Sequence, residues 1–428
     1  MNKIKVVVSC PIDTYSGYGA RSRDLVRALV QTQKYDVKVL AQRWGNTRTG
    51  YLADHNEIEL RSLVVPNLTV KPDVWIQITV PNEFQPIGEY NIGVTAGIET
   101  TLCDASWIQG CNRMDLILTS SNHSKKVFET SSFNIEDQNT VTGILKLTKP
   151  VEVLFEGVDL EKYYKTGTDK NKEVTQQLDS IQESFCYLFV GHWLQGDLGQ
   201  DRKNIGYMIQ MFLETFANKK QAPALILKTQ SANASALDQD KVLETIDKIR
   251  KQVKGDLPNI YLLHGEITDE EINQLYNHPK VKAMISLTKG EGFGRPLLEF
   301  SVVNKPLIVS NWSGHKDFLS EEFNIMIGGM LTKVHPSAAV KNVILTEAEW
   351  FTPSGKEVSF ALKDVHTNYK KYAEQAKRQG YRSRTEFSYE KMVTQLDLIL
   401  SKSLPAFAKE VQLSLPALKL PKLKKIDG

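Results

Sequence analysis

Twice along this chain of 428 residues, short apolar segments alternate with stretches whose apolar residues recur at helical spacing. That alternation constrains the fold more than any single motif does. Strands separated by helices run parallel, and a parallel sheet needs helices on both of its faces. In the first half, strands are expected at residues 4–9, 37–41, 73–79, 91–95, 115–119 and 151–155. The pattern breaks over residues 164–184, a polar run with few apolar positions, and restarts at 185–191. Segments 223–228, 259–264, 283–287 and 305–310 continue it. The expected fold class is α/β, two Rossmann-like domains facing across a cleft, and the length suits two cores of about 150–200 residues.

Hydrophobic residues make up 41% of the chain and charged residues 24%, proportions that argue against extended disorder. The segment MNKIKVVVSCPID is a lysine-flanked strand rather than an apolar leader. Nowhere do about 18 apolar residues run together, so a cytoplasmic chain without a transmembrane segment is expected. Cys10, Cys103, Cys111 and Cys186 show no C-x-x-C pair and no histidine spacing for zinc, and read as buried thiols in a reducing compartment.

The most chemically loaded segment is 288–319, TKGEGFGRPLLEFSVVNKPLIVSNWSGHKDFL. An apolar strand precedes it, and Pro296 stands where a helix takes its first turn, so residues 290–295 join strand to helix. Gly292 and Gly294 permit a close backbone approach, and amides at a helix start suit a phosphate. Glu291 falls in the loop and Glu299 about one helical turn inside. A second charged place is Asp201-Arg-Lys-Asn204, ahead of a helix over 205–216. Thr268-Asp-Glu-Glu271 predicts a capping box.

The run Glu291-Gly-Phe-Gly-Arg-Pro-Leu-Leu-Glu299 resembles the E-x7-E signature of retaining, GT-B-fold glycosyltransferases of family four, and Ser313-Gly-His-Lys-Asp317 resembles the Gly-Gly-x-x-Glu segment that follows it. The resemblance spans residues 1–402 and is similar to that of bacterial and viral members. It implies an N-terminal acceptor domain (1–163), a linker (164–184), a C-terminal donor domain (185–386), a crossover helix returning to the first domain (387–404) and a basic tail (405–428). It implies a nucleotide-sugar co-substrate, UDP- or GDP-linked, with no cofactor and no metal; no strand-flanked Asp-x-Asp is present. Lys203 and Arg202 would neutralise the donor diphosphate, Glu291 would lie against the donor sugar, and Glu299 would bind ribose hydroxyls. Gly292, Phe293 and Gly294 would present amides, Ile267 would hold the base through its backbone, and Gly17 and Gly19 would form the N-terminal glycine loop. The chain departs from the family in placing His192 after Val190-Gly191, where an arginine is usual, and in the long loop 193–200 that follows. Glu99 stands where many relatives carry a histidine, either as a base toward the acceptor or as a helix-capping residue.

The acceptor is less constrained. Residues 1–50 hold nine Lys/Arg against three Asp/Glu, and Arg21, Arg23 and Arg27 cluster near the expected cleft, so an anionic acceptor is one expectation and a solvated helix face another. The acceptors considered are a glycan, a lipid or protein hydroxyl, and a hydroxymethylated pyrimidine in DNA. The basic tail allows peripheral membrane contact or an unstructured terminus. A catalytically silent sugar-nucleotide-binding scaffold is the alternative from another class.

Overall fold

The computed structural model of the protein describes residues 3–138, 140–231 and 234–407. The first domain contains β1 (Ile4–Cys10), β2 (Tyr35–Ala41), β3 (Val74–Ile78), β4 (Tyr90–Val94), β5 (Leu116–Thr119), an antiparallel ribbon of β6 (Ser132–Asp137) and β7 (Thr140–Lys146), and β8 (Val151–Val153). Its parallel sheet has the order β2-β1-β3-β4-β5-β8. The second domain contains β9 (Cys186–His192), β10 (Ala224–Gln230), β11 (Ile260–Leu263), β12 (Val281–Ser286), β13 (Leu307–Ser310) and β14 (Ile325–Ile327), in the order β11-β10-β9-β12-β13-β14. Every strand expected from the sequence is present. Both faces of the central strands are covered, which is why β1, β3, β9 and β12 are mostly apolar, whereas the edge strand β2 alternates buried and exposed residues. In β9, Cys186 and Leu188 enter the core on one face, and Tyr187 and Phe189 enter the core on the other.

Strand order reverses between β1 and β3 and between β9 and β12, which opens a crevice outside the C-terminal ends of both sheets. Helix starts are fixed by side chains. Ser16 Oγ accepts from Gly19 N at 2.9 Å ahead of the helix Gly17–Gln31, and Thr268 with Glu271 forms the expected capping box of the helix Asp269–Asn277. One apolar cluster runs from the first sheet through Phe155, Met392 and Leu396 into the second domain at Phe293 and Phe318. The helix Tyr389–Ser403 crosses back as expected, with Gln395 Nε2 donating to Val153 O at 2.6 Å and Lys34 Nζ meeting Asp397 at 2.6 Å.

Two features go beyond the sequence reading. Within residues 164–184, the helix Glu173–Asp179 buries Val174 and Leu178, and Asn273, Gln274 and Asn277 accept backbone N–H groups of Tyr164, Asp169 and Thr166. After β14, β15 (Gly329–Lys333) and β16 (Glu349–Pro353) form an antiparallel arm that buries Trp350 with Val334, Ala338, Ile344 and Ala348. The arm reaches the first domain, where Thr101 N donates to Glu349 O and Glu349 N donates to Thr101 Oγ1, each at 2.9 Å. Among the described residues no helix is long and apolar enough to cross a membrane. From residue 408 onward the expected basic tail lies outside the described residues.

Candidate active site

Residues 287–294 lead from β12 into the short helix Arg295–Ser301, with Gly294 at its N-cap (φ 102°) and Pro296 in its first turn. The glycines of this loop answer to the other domain. A Cβ on Gly290 would overlap the Glu99 carbonyl, and one on Gly292 would overlap that of Ala96. Gly97 faces Gly292 so closely that its own Cβ would lie 3.1 Å from the Gly292 Cα, and Ser120 Oγ donates to Gly292 O at 3.0 Å. The two domains therefore meet backbone to backbone here. Phe293 turns into the core against Phe318, leaving only its main chain to the loop. Ser313 holds φ 76° and ψ −160°, a region glycine normally occupies. Its hydroxyl accepts the Glu291 N–H at 2.9 Å, and Gly314 N–H donates to Glu291 O at 2.9 Å.

Around Glu291 the charges converge. Lys203 Nζ donates to Glu291 Oε1 at 2.6 Å, and Arg202 Nη1 lies 3.4 Å from Glu291 Oε2. The same Nη1 donates to Gly290 O at 2.9 Å and stands 3.6 Å from Glu99 Oε1 of the first domain. Both cations lie just ahead of the helix Ile205–Phe216 and are largely buried. Burial pushes the Glu291 carboxyl up, but Lys203 and Arg202 outweigh it and hold it down at about 2. Burial moves Lys203 the other way, toward the neutral amine, and the Glu291 carboxylate opposes this. At 2.6 Å the pair has the length of a charge-assisted hydrogen bond. Behind it, burial raises Asp201 to about 6 and lowers Lys289 to about 8, and Lys289 Nζ donates to Thr352 Oγ1 of the arm at 3.1 Å.

Glu299 lies in a second cluster. Arg295 contacts Asp24 Oδ2 at 2.6 Å, Glu156 Oε2 at 3.4 Å and Glu299 Oε1 at 3.7 Å, joining the domains. Burial raises the Glu299 carboxyl to about 7, and Asp269, Asp24 and Glu156 add to the rise against Arg295. A cavity of about 500 Å³ lies next to it at Pro296 and Asp269, with Glu299, Glu291, Lys203 and Arg202 outside its lining. Its second-domain wall is Gly191, His192, Lys228, Gln230, Ile267 and Asp269. Its first-domain wall is Tyr15, Arg48, Tyr51 and His55, the last two rings stacked at 4.0 Å. Arg48 spans the mouth, meeting Asp54 at 2.6 Å and Glu266 at 3.4 Å. Gly191 links cavity and ion pair, since a Cβ there would lie 3.8 Å from Lys203 Cε.

The structure thus brings Lys203, Arg202, Glu291 and Glu99 together, and sets Ile267 on the cavity wall. Other expectations fare differently. Gly17 opens its helix with nothing within 4 Å of a Cβ position, whereas Gly19 is demanded by the turn, because a Cβ would overlap Thr14 O. The three arginines are no free anion patch. Arg21 is fully buried, donating to Phe155 O at 2.9 Å and Leu154 O at 2.5 Å. Arg23 donates to Ile12 O at 2.8 Å and stacks 3.4 Å over Tyr51, and Arg27 is held by Glu57 and Asp24. Their guanidinium groups serve this chain's own carbonyls and carboxylates, which corrects the expectation that they bind an acceptor. His264 pairs with Asp238 at 2.8 Å, a structural contact. Sequence reasoning missed Ser120 and the wall of Tyr15, Arg48, Tyr51 and His55, and it named Ser313 within the segment Ser313–Asp317 without giving it a role. Among the described residues, no group of three or more His, Cys, Asp or Glu side chains is arranged to hold a metal ion.

No protein-family model matches the chain, and no curated protein matches it. Solved structures do. The sucrose-phosphate synthase of Thermosynechococcus elongatus aligns over 94% of this chain and 99% of its own, at 11% identity and a TM-score of 0.60. HepE of Anabaena in complex with UDP-glucose aligns over 93% and 100%, at 13% identity and 0.60. A glycosyltransferase of Rickettsia africae aligns over 94% and 99%, at 13% identity and 0.62. At such identities the shared property is architecture, and the architecture this chain shares with these proteins over nearly its whole length is the GT-B fold.

Proposed function

We propose that this chain is a retaining glycosyltransferase of the family-four type, moving a sugar from a nucleotide-sugar donor to an acceptor hydroxyl. The observation that carries the proposal is the buried Lys203–Glu291 pair with Arg202, set at the seam between the domains and adjoining a cavity large enough for a nucleotide. Breaking the sugar C1–O bond leaves a nucleoside diphosphate with added negative charge. Fixed cations that meet this charge lower the barrier more than they tighten ground-state binding. In the proposed cycle the diphosphate accepts hydrogen bonds from Lys203 and Arg202, and Glu291, released from Lys203, accepts from sugar hydroxyls. The acceptor oxygen bonds to C1 on the face the phosphate leaves, and its proton passes to the departing phosphate oxygen. Glu99 would orient that hydroxyl, Glu299 would meet the ribose, and no metal takes part. HepE, solved with UDP-glucose, makes a UDP-sugar the first donor to try.

The test is nucleoside-diphosphate release from UDP-, GDP- and ADP-sugars, with glycan and hydroxymethylcytosine-DNA acceptors, comparing the parent chain with Glu291→Ala. Release from one donor, lost in the variant, supports transfer, and product anomeric configuration decides retention. Activity abolished by a chelator and restored by a divalent cation would overturn metal independence. Silence with every donor, alongside measurable nucleotide binding, would favour a sugar-nucleotide-binding scaffold.

A further inference from the structure

A second cavity, of about 580 Å³, lies in the donor domain beside the site just described. Its position follows from the end of the sheet. Trp193 N donates to Gln230 O at 2.9 Å, which extends the β9–β10 ladder one step past the strands. Successive residues of that ladder point to opposite sides. His192 and Gln230 line the nucleotide-sized cavity, while Trp193 and Ser231 line the second. The two spaces are neighbours along this ladder.

The second cavity has three walls, the first of them the loop in which this chain departs from its resemblance. One wall is the long loop after β9, with Trp193, Gln195 and Gly196. Another is the arm between β15 and β16, with Ala338, Val340 and Ile344, and the two walls are tied where Gln195 Nε2 donates to Ala339 O at 2.8 Å. The third is the helix Ala236–Gln252, with Lys241, Val242 and Thr245. Among the described residues the lining holds two cations, Arg202 and Lys241, and no carboxylate. The contacts of Arg202 to Gly290, Glu291 and Glu99 are all made by Nη1. A guanidinium has five N–H donors in a fixed fork, so the edge away from Nη1 remains to meet a ligand.

We propose that this cavity is a second ligand site, for a monosaccharide bearing one anionic group, phosphate or carboxylate. Arg202 and Lys241 take the anion, Gln195 and Ser231 take hydroxyls, and the indole of Trp193 with Val340 and Ile344 covers the apolar face of the ring. The volume lies within the range of small-molecule sites and exceeds what a lone anion needs.

The experiment uses the full chain and four probes, glucose 6-phosphate, glucuronate, glucose and inorganic phosphate, followed by calorimetry and tryptophan fluorescence. UDP titrated separately reports on the first cavity, so a failure of the nucleotide reading is seen independently. Expected is saturable binding of glucose 6-phosphate or glucuronate at least about tenfold tighter than glucose or phosphate alone. Lys241→Ala weakens it about fivefold to tenfold, consistent with losing one charge-assisted contact. Thr245→Trp, on the half-buried rim of the helix, fills the space and abolishes it, and both variants keep their melting temperature and UDP affinity. The proposal is overturned if no probe saturates, if phosphate alone binds as well as its sugar ester, or if neither variant changes the affinity.

Discussion

At the scale of single residues, Lys203 and Glu299 make opposite predictions about charge. Lys203 is a fixed cation held by Glu291, so Lys203→Ala is expected to lower kcat by about 10²–10³-fold while donor affinity falls much less. Single-turnover kinetics beside a donor titration check this, and equal losses in both would remove the transition-state role. Glu299 is a carboxyl that burial holds at about 7. Between its ordinary value and that pH, the folded protein keeps a proton that the unfolded chain has released, so stability falls as pH rises through this window. Glu299→Gln escapes the loss. Without nucleotide, the variant should melt about 2 °C above the parent at pH 8 and show no such gain at pH 4.5. A gap independent of pH would mean that Glu299 is ionised throughout.

Among elements, the loop between β12 and the helix Arg295–Ser301 has the sharpest requirement. A Cβ on Gly290 overlaps the Glu99 carbonyl, so Gly290→Ala must separate the domains locally. Displacing reacting groups by about 1 Å costs roughly 10²-fold in rate, which is the expected loss, with far-UV circular dichroism unchanged. Near-normal turnover would show that this seam opens during catalysis. Legibility in the sequence follows burial and locality. The central sheet strands are legible because both of their faces are covered, and Pro296 and the Thr268 box mark their helix starts. The pairing of Lys203 with Glu291 spans 88 positions and carries no local signal, and only the family resemblance brought them together. Arg21 and Arg23 look like an exposed basic cluster because the main-chain carbonyls that receive them have no sequence signature. The helix Glu173–Asp179 is hidden because Val174, Leu178 and Ile181 are the few apolar residues that a polar run sends into the core.

For the whole molecule, the returning helix Tyr389–Ser403 is the tie between the ends of the fold. Met392 is fully buried, and its Sδ lies 3.3 Å from Arg21 Nη1. Met392→Ala should cost about 2–4 kcal/mol, read as a lower denaturant midpoint. A change under about 0.5 kcal/mol would mean that the helix is only loosely docked. The same contact has a consequence in time. Arg21 and Met392 are 371 positions apart in the chain. At about 5–20 residues per second, a ribosome needs roughly twenty to seventy seconds to supply the second after the first. From the synthesis of Phe155, 134 positions after Arg21, until the last helix arrives, the first domain has its strands and the carbonyl partners of Arg21 but no cover over them, so the fold closes only when the chain is almost finished.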